Sequence, residues 1–450
     1  MTFKHRWCLK FFLFFLISIF CNLHVYAQNN IYNFSQIKDY KTFLVTNTNA
    51  KAALINKSIQ KQYLNIISEK NDELLKKFEK KSFLFDSTAY LYLNSIFQYI
   101  LEKNSLDKTR FHFFIDRTSV VNAYSYEDGT VVCDLGLVSI TENESQLAMV
   151  FCHELGHYLL DHVNTSLIKQ LEKYNSPEFL AHLKTIKKQE YNTKRQLENL
   201  LETDVFDQRK HNRHQERAAD SLAMLLFLKT GYNCKTVSRV FDLLDSSDSK
   251  TIRCSIGSFF IGENIAINED WLKPESRMKF GQTPRKEIID SLKTHPDCTQ
   301  RKIWMQSFFN SYPRAGVDFI ISDGKKLAKV KKEALFNEAL YLKENDNLGL
   351  YLYQLIQNNA TFPRDRSIKT EIFNTLLSIC NHYKTHTLYM VIRNQYLSDD
   401  DKDEYAKLLK LFDSLNFQEM KEITKTYYQS NKSLITASTE AINNLNTLNN

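Results

Sequence analysis

Apolar positions along this chain fall mostly at helical spacing, interrupted in the first third by two short β-type runs. Between Phe34 and Lys81, residues such as Leu64, Ile67, Leu74, Leu75 and Phe78 recur three or four apart. That spacing predicts two or three amphipathic helices that cover a core and carry no chemistry of their own. Tyr90 to Glu102 predicts another helix. Phe111–Ile115 and Thr130–Cys133 are aromatic or β-branched and predict strands, joined as a hairpin through Asn122 and the turn at Asp128-Gly129. An apolar run then opens at Leu147 and resumes at Leu159 and Leu160. It follows Thr141-Glu142-Asn143-Glu144, a capping-box pattern that starts a helix.

Beyond it the pattern turns charged and helical from Ser166 to Glu202. A second apolar-periodic helix runs from about His214 to Leu228, with Gly231 as its stop. Tyr232 to Leu244 predicts a helix, and Ser246 to Lys293 an irregular stretch containing Trp271. Pro313, Gly316 and Gly324 mark a boundary. From about Lys325 helical segments alternate to the end. Ala334–Leu340, Leu348–Ile356 and then Pro363 resemble one tetratricopeptide-type pair, with a poorer copy from Ile368 to Tyr396. A generic helical bundle fits this region equally well. The Asn-, Thr- and Ser-rich tail from Ser430 is expected to fray.

Composition agrees with a helical chain, since only 10 glycines and 6 prolines interrupt 450 residues. Lys4, Arg6 and Lys10 precede an apolar stretch from Phe11 to Phe20, and Val25-Tyr26-Ala27 is a small-residue cleavage pattern. This is the layout of a signal peptide, too short in its apolar part for a lasting membrane span. A lipoprotein signal would use Cys21, but Phe20 before it fits poorly. Without those three basic residues the formal charge of +7 falls to about +4, too mild to argue for nucleic acid. Lys187, Lys188, Lys194 and Arg195 are balanced by Glu190, Glu198 and Glu202, so that stretch reads as a solvated face or a lid over the cleft. Cys133, Cys152, Cys234, Cys254, Cys298 and Cys380 remain after the signal. An even number in an exported chain permits disulfides, and none forms a C-x-x-C pair.

The chemistry lies in His153-Glu154-Leu155-Gly156-His157, an H-E-x-x-H inside the apolar helix. Residues i and i+4 share a helix face, so His153 and His157 can offer nitrogens to one metal ion. Glu154 sits beside them as a carboxylate able to take a proton from water. Zinc suits the pair, and a catalytic zinc takes a third protein ligand. A third histidine six residues beyond His157 is excluded, because that position is Val163 and Leu160 replaces the glycine such a motif needs. His162 is one residue out of register and is expected to point off the ligand face. The second helix supplies the candidates. Glu216 and Asp220 are four apart, so Glu216 can bind zinc while Asp220 accepts the spare N–H of a ligand imidazole. The upstream cysteine motif of peptide deformylases is not visible.

Asn122-Ala123-Tyr124, Gly129-Thr130-Val131-Val132, Glu142 to Ala148, His153 to His157 and the Glu216/Asp220 pair together resemble the HtpX, BepA and CAAX prenyl protease family of zinc metallopeptidases. Thr294-His295-Pro296 followed by Arg301 adds to the likeness, which is greatest to the soluble periplasmic BepA-like branch. The resemblance implies a sheet bordering the cleft, with Asn122 in support, onto whose edge a peptide adds as a strand. It also implies that His295 either hydrogen-bonds the oxyanion or caps zinc as a gate, with Arg301 pinning its loop. A C-terminal tetratricopeptide domain that binds protein partners or substrates is implied too.

The resulting expectation is a mainly α chain with a small β-sheet. A signal peptide spans 1–27, a helical segment 28–85, an α+β zincin-like peptidase core 86–320 and an all-α domain 325–450. Its expected function is that of a secreted, periplasmic zinc endopeptidase acting on misfolded or envelope proteins through His153, His157, Glu216, Glu154, Asp220 and His295. A zinc-stabilised chaperone or binding scaffold with suppressed proteolysis is the alternative.

Overall fold

A computed structural model describes residues 34–85, 87–188, 212–246, 252–272, 298–312, 316–392, 399–436 and 438. The signal-peptide reading, the acidic and basic run beyond Lys188, the T-H-P segment with His295 and the last residues of the tail lie outside the described residues. The architecture is mainly helical, with one small three-stranded sheet.

Two antiparallel helices lead the chain, α1 (Phe34–Ala52) and α2 (Lys57–Glu79), followed by α3 (Thr88–Lys103). Asn56 caps α2 and Ser87 caps α3, each side chain accepting from a first-turn backbone N–H. The sheet comprises β1 (His112–Asp116), β2 (Ala123–Ser125) and β3 (Thr130–Asp134), in the order β1-β3-β2. The expected hairpin between β1 and β3 is corrected: those two strands are parallel, and the hairpin at Asp128-Gly129 joins β2 to β3. Gly129 has φ +95°, which the turn demands and a side chain resists.

Alternation along the strands divides two cores. Phe113, Ile115, Val131 and Cys133 face α3 and the metal-motif helix, whereas Phe114 and Val132 face Tyr40, Leu74 and Phe78 of the first two helices. The sheet is therefore covered on both faces, with β2 at one edge. Helix α4 (Leu135–Ile140) leads into α5 (Glu144–Leu159), which carries the H-E-x-x-H motif. The cap of α5 differs from the expected Thr141 box: Asn143 Oδ1 accepts from the backbone N–H of Gln146 at 3.0 Å. This frees Glu144 for another task. Fully buried, it accepts from Tyr92 Oη (2.9 Å), Tyr232 Oη (3.1 Å) and the backbone N–H groups of Ile320 and Ile321 (2.7 and 2.9 Å). The start of α5 is thereby tied to three other parts of the chain.

After α5 come α6 (His162–Tyr174) and α7 (Pro177–Lys187), split at Asn175-Ser176-Pro177. Described residues 212–228 form helix α8, and Gly231 beyond it has φ +81°, as a C-terminal stop requires. The helix expected from Tyr232 to Leu244 is two, α9 (Cys234–Val237) and α10 (Arg239–Ser246). Helix α11 (Ile256–Gly262) and helix α12 (Cys298–Asn310) follow. The C-terminal region comprises α13 (Gly324–Glu344), α14 (Leu348–Thr361), α15 (Arg366–Lys384), α16 (Asp399–Ser414) and α17 (Phe417–Asn431).

The two large cores are not divided at residue 320. Leu327, Val330 and Ala334 of α13 pack into the core around the sheet, whereas Ala339 of the same helix packs with α14 to α17. Ile256, Phe259, Phe260 and Ile265 also enter this second core. A buried ion pair holds them there: Lys369 Nζ meets Glu263 Oε1 at 2.5 Å, and Asn431 Nδ2 donates to Glu263 Oε2 at 2.6 Å. Order therefore continues past the expected fraying point at Ser430. All six described cysteines are free thiols. Among the described residues, no helix is long and apolar enough to cross a membrane.

Glu144→Ala strands two tyrosine hydroxyls and two backbone donors in the interior, at a cost of about 3 kcal/mol or more. Denaturant unfolding of the variant should show the core around the sheet lost first, and an unshifted midpoint would remove Glu144 from this anchoring role.

Candidate metal centre

Helices α5 and α8 build the centre by approaching at one small residue. A Cβ added to Gly156 would lie 2.8 Å from the Ala219 carbonyl oxygen and 3.3 Å from its Cα. The glycine within the motif therefore lets the backbones touch, and Ala219 keeps the other side of the contact small. Glu216 and Asp220 flank Ala219 on the helix and are carried against the motif histidines.

The donor atoms of His153, His157 and Glu216 all lie within 4.8 Å of one another. The Nε2 atoms of the two histidines are 3.0 Å apart, and Glu216 approaches them with Oε2 at 3.4 Å from His153 and Oε1 at 3.3 Å from His157. One oxygen of the carboxylate faces each imidazole. Among the described residues this is the one His/Cys/Asp/Glu group arranged to hold a metal ion.

Behind that group the second nitrogen of His153 meets Asp220, with Nδ1 to Oδ1 at 2.9 Å. Asp220 is fully buried and Glu154 is 2% exposed, so both carboxyls depend on protein partners or a metal rather than on water. Arg301 from α12 closes the network. It donates through Nε and Nη2 to both oxygens of Asp220 at 2.8 Å, and its Nη1 stands 3.2 Å from Glu216 Oε2. The guanidinium lies over the Phe241 ring at 4.8 Å, and the adjacent Lys302 pairs with Asp242, so α10 holds α12 in place. The loop that Arg301 is expected to pin lies outside the described residues; within them Arg301 meets the two carboxylates of α8.

Charge in the centre is ordered by these contacts. Burial opposes the ionised form of Asp220, yet Arg301 and His153 hold its carboxyl well below the usual carboxylate range. Burial and the Arg301 charge both act to discharge His153. Asp220 and Glu216 outweigh them and push its pKa up to about 9. The carboxylates around His153 thus favour positive charge on that ring, and two imidazoles with a carboxylate are a donor set that zinc accepts. A resident divalent cation fits these residues.

The structure brings together His153, His157, Glu216 and Asp220, with Glu154 buried one residue along the same helix. The Glu154 charge is felt on β3, where burial first, then Asp134, then Glu154 raise the Cys133 thiol. Asn122 precedes β2, and its backbone carbonyl accepts from Asp134 N at 3.0 Å, at the sheet edge that packs along α5. His295 lies outside the described residues. His162 does point away from the metal-facing nitrogens, but it meets the other side of His157: their Nδ1 atoms are 3.0 Å apart.

Residues 89–303 match the family model of Peptidase family M48. The chain is also similar to Beta-barrel assembly-enhancing protease of Escherichia coli (strain K12), 34% identical over 79 residues, which is 18% of this chain and 16% of that protein. The protein of the same name from Yersinia pestis is 29% identical over 87 residues, 19% of this chain and 18% of the relative. The matched stretches thus span less than a fifth of these relatives. The M48 match over these residues agrees with the family that the sequence motifs resemble, a family of peptidases.

Gly156→Ala would force α8 away from α5. Overpacking at this contact should cost about 1–3 kcal/mol and lower zinc affinity while helix content measured by circular dichroism is retained. Wild-type zinc binding by this variant would show that the contact does not set the site.

Proposed function

We propose that the Peptidase family M48 segment makes this chain a zinc-dependent endopeptidase, with His153, His157 and Glu216 as the zinc ligands. The observation that carries the reading is the convergence of those three donors, within 4.8 Å of one another. Zinc supplies Lewis-acid polarisation of a peptide carbonyl and of the attacking water.

The remaining roles fall to the chain. Glu154 takes the proton of the attacking water and returns it to the leaving amine, a role typically worth about 10²–10⁴ in rate. Its burial keeps bulk water from competing for that proton. Asp220 accepts the Nδ1–H of His153, which fixes the tautomer with Nε2 free for zinc. Arg301 offsets the charge of Asp220 and Glu216, so the centre is not overloaded with negative charge before metal enters. On the resemblance alone, His295 assists the oxyanion or gates the centre.

Substrate would add to the edge strand β2. Asn122 O and Tyr126 N are bonded to β3, so by strand alternation the main-chain groups of Ala123 and Ser125 face away from it. An extended peptide paired there runs past α5 and presents its carbonyls to the centre. We take proteins rather than small peptides as substrates, with misfolded or unassembled envelope proteins as the class. The name of the relatives points to β-barrel assembly. Export to the periplasm is part of the proposal and is supported by the basic–apolar–small-residue order of residues 4–27. The α13 to α17 region is assigned to recognition of protein partners or substrates.

Zinc-dependent cleavage of an unfolded protein, measured for wild type, Glu154→Gln and Glu216→Ala, tests the assignment. Glu154→Gln should keep one zinc and lose about 10²–10⁴ of the rate, whereas Glu216→Ala should lose zinc and activity together. Full zinc and activity in Glu216→Ala would reject it as the third ligand. Zinc bound by wild type without any cleavage would favour the scaffold reading. Chelator treatment of wild type should abolish cleavage, with added zinc restoring it.

A further inference from the structure

We infer that His162 is a positioning residue of the metal centre, holding the second ligand histidine by accepting a hydrogen bond from it. The inference rests on the zinc reading of His153, His157 and Glu216.

An imidazole that binds a metal through Nε2 carries its proton on Nδ1, and a buried N–H needs an acceptor. For His153 the acceptor is Asp220. For His157 it is the ring of His162, whose Nδ1 lies 3.0 Å from His157 Nδ1, with the ring planes 76° apart and centroids separated by 5.0 Å. Two nitrogens at that distance share one proton. With His157 donating, His162 is the neutral tautomer protonated at Nε2, and its bare Nδ1 is the acceptor.

The position of His162 is built into the chain. The residue is 9% exposed and opens α6 directly after Asp161, whose φ of +54° turns the chain sharply off the end of α5. Lys51 and Asn164 both donate to Asp161 Oδ1, at 3.2 and 2.6 Å, and Tyr63 Oη donates to Asn164 Oδ1 at 2.6 Å. The N-terminal helices therefore brace this turn. From the other side, Gln215 donates through Nε2 to the His162 carbonyl at 3.1 Å, one residue before Glu216. Both ligand helices are registered on His162.

A neutral acceptor also suits the charge of the centre. Among the described residues Glu216 and Asp220 already meet His153 or His157 there, with Arg301 paired to both carboxylates. A carboxylate behind His157 would add a further buried negative charge, whereas an imidazole orients the ring without one.

Zinc affinity of the full chain, measured by competition with a chromophoric chelator, tests the inference in wild type, His162→Ala and His162→Asn. Visible spectra of the cobalt-loaded forms are recorded alongside. His162→Ala should weaken zinc binding by about 10–100-fold and shift the cobalt bands. His162→Asn should restore both, because its Oδ1 stands near the place of the imidazole Nδ1 and accepts the same proton. Thermal unfolding of the metal-free forms should differ little. Wild-type affinity in His162→Ala, or equal weakening in both variants, would overturn the inference while leaving the zinc site standing. Failure of the wild type itself to bind zinc would overturn the zinc reading and this inference with it.

Discussion

Everything at the candidate centre depends on the contact between Gly156 and Ala219. Two helices far apart in sequence can place side chains on a common point only if their axes are close, and any side chain at position 156 would strike the Ala219 backbone. The motif histidines sit before and after that glycine, and Glu216 and Asp220 sit before and after that alanine. The contact thus fixes which faces meet and where these four side chains converge. Burial then raises the stakes, because every charge placed there must find a partner or a metal.

The partners form a closed electrostatic set. Arg301 binds both oxygens of Asp220 and approaches Glu216, and Asp220 in turn holds His153. Breaking one link leaves an uncompensated charge in the interior, which is why these residues act as a unit. The helix that brings Arg301 is packed on α10, and α10 on the chain that follows Gly231. The centre is therefore assembled from segments between His153 and Arg301, within the 89–303 stretch that matches the family model.

Outside the centre, the peptidase core and the C-terminal helices share structure. Helix α13 begins in one core and ends in the other, and residues 256–265 leave the first core to pack in the second. Arg117 strengthens the junction. It is buried at the end of β1 and bonded to Glu344 of α13 and to the backbone carbonyls of Lys81 and Asn337. A cut at residue 325 would expose apolar residues of both cores, so the two parts do not behave as beads on a string.

The sequence alone carried the periodicities that make α2, α3, α5, α8 and most C-terminal helices, two of the three strands, and the pairs His153/His157 and Glu216/Asp220. These are local facts, because residues four apart on a helix share a face whatever surrounds them. The mainly α fold with a small sheet followed from them. Strand direction did not: β1 and β3 are parallel, and only the connection past Asn122 and the packing of β2 along α5 decide that. The roles of Glu144, Arg301 and His162 were hidden for the same reason. A lone acid, base or histidine acquires its meaning from partners that are distant in the chain. Sequence set which side chains each helix offers, and tertiary packing decided which of them meet, since burial makes their mutual contacts the only way to satisfy their charges and protons.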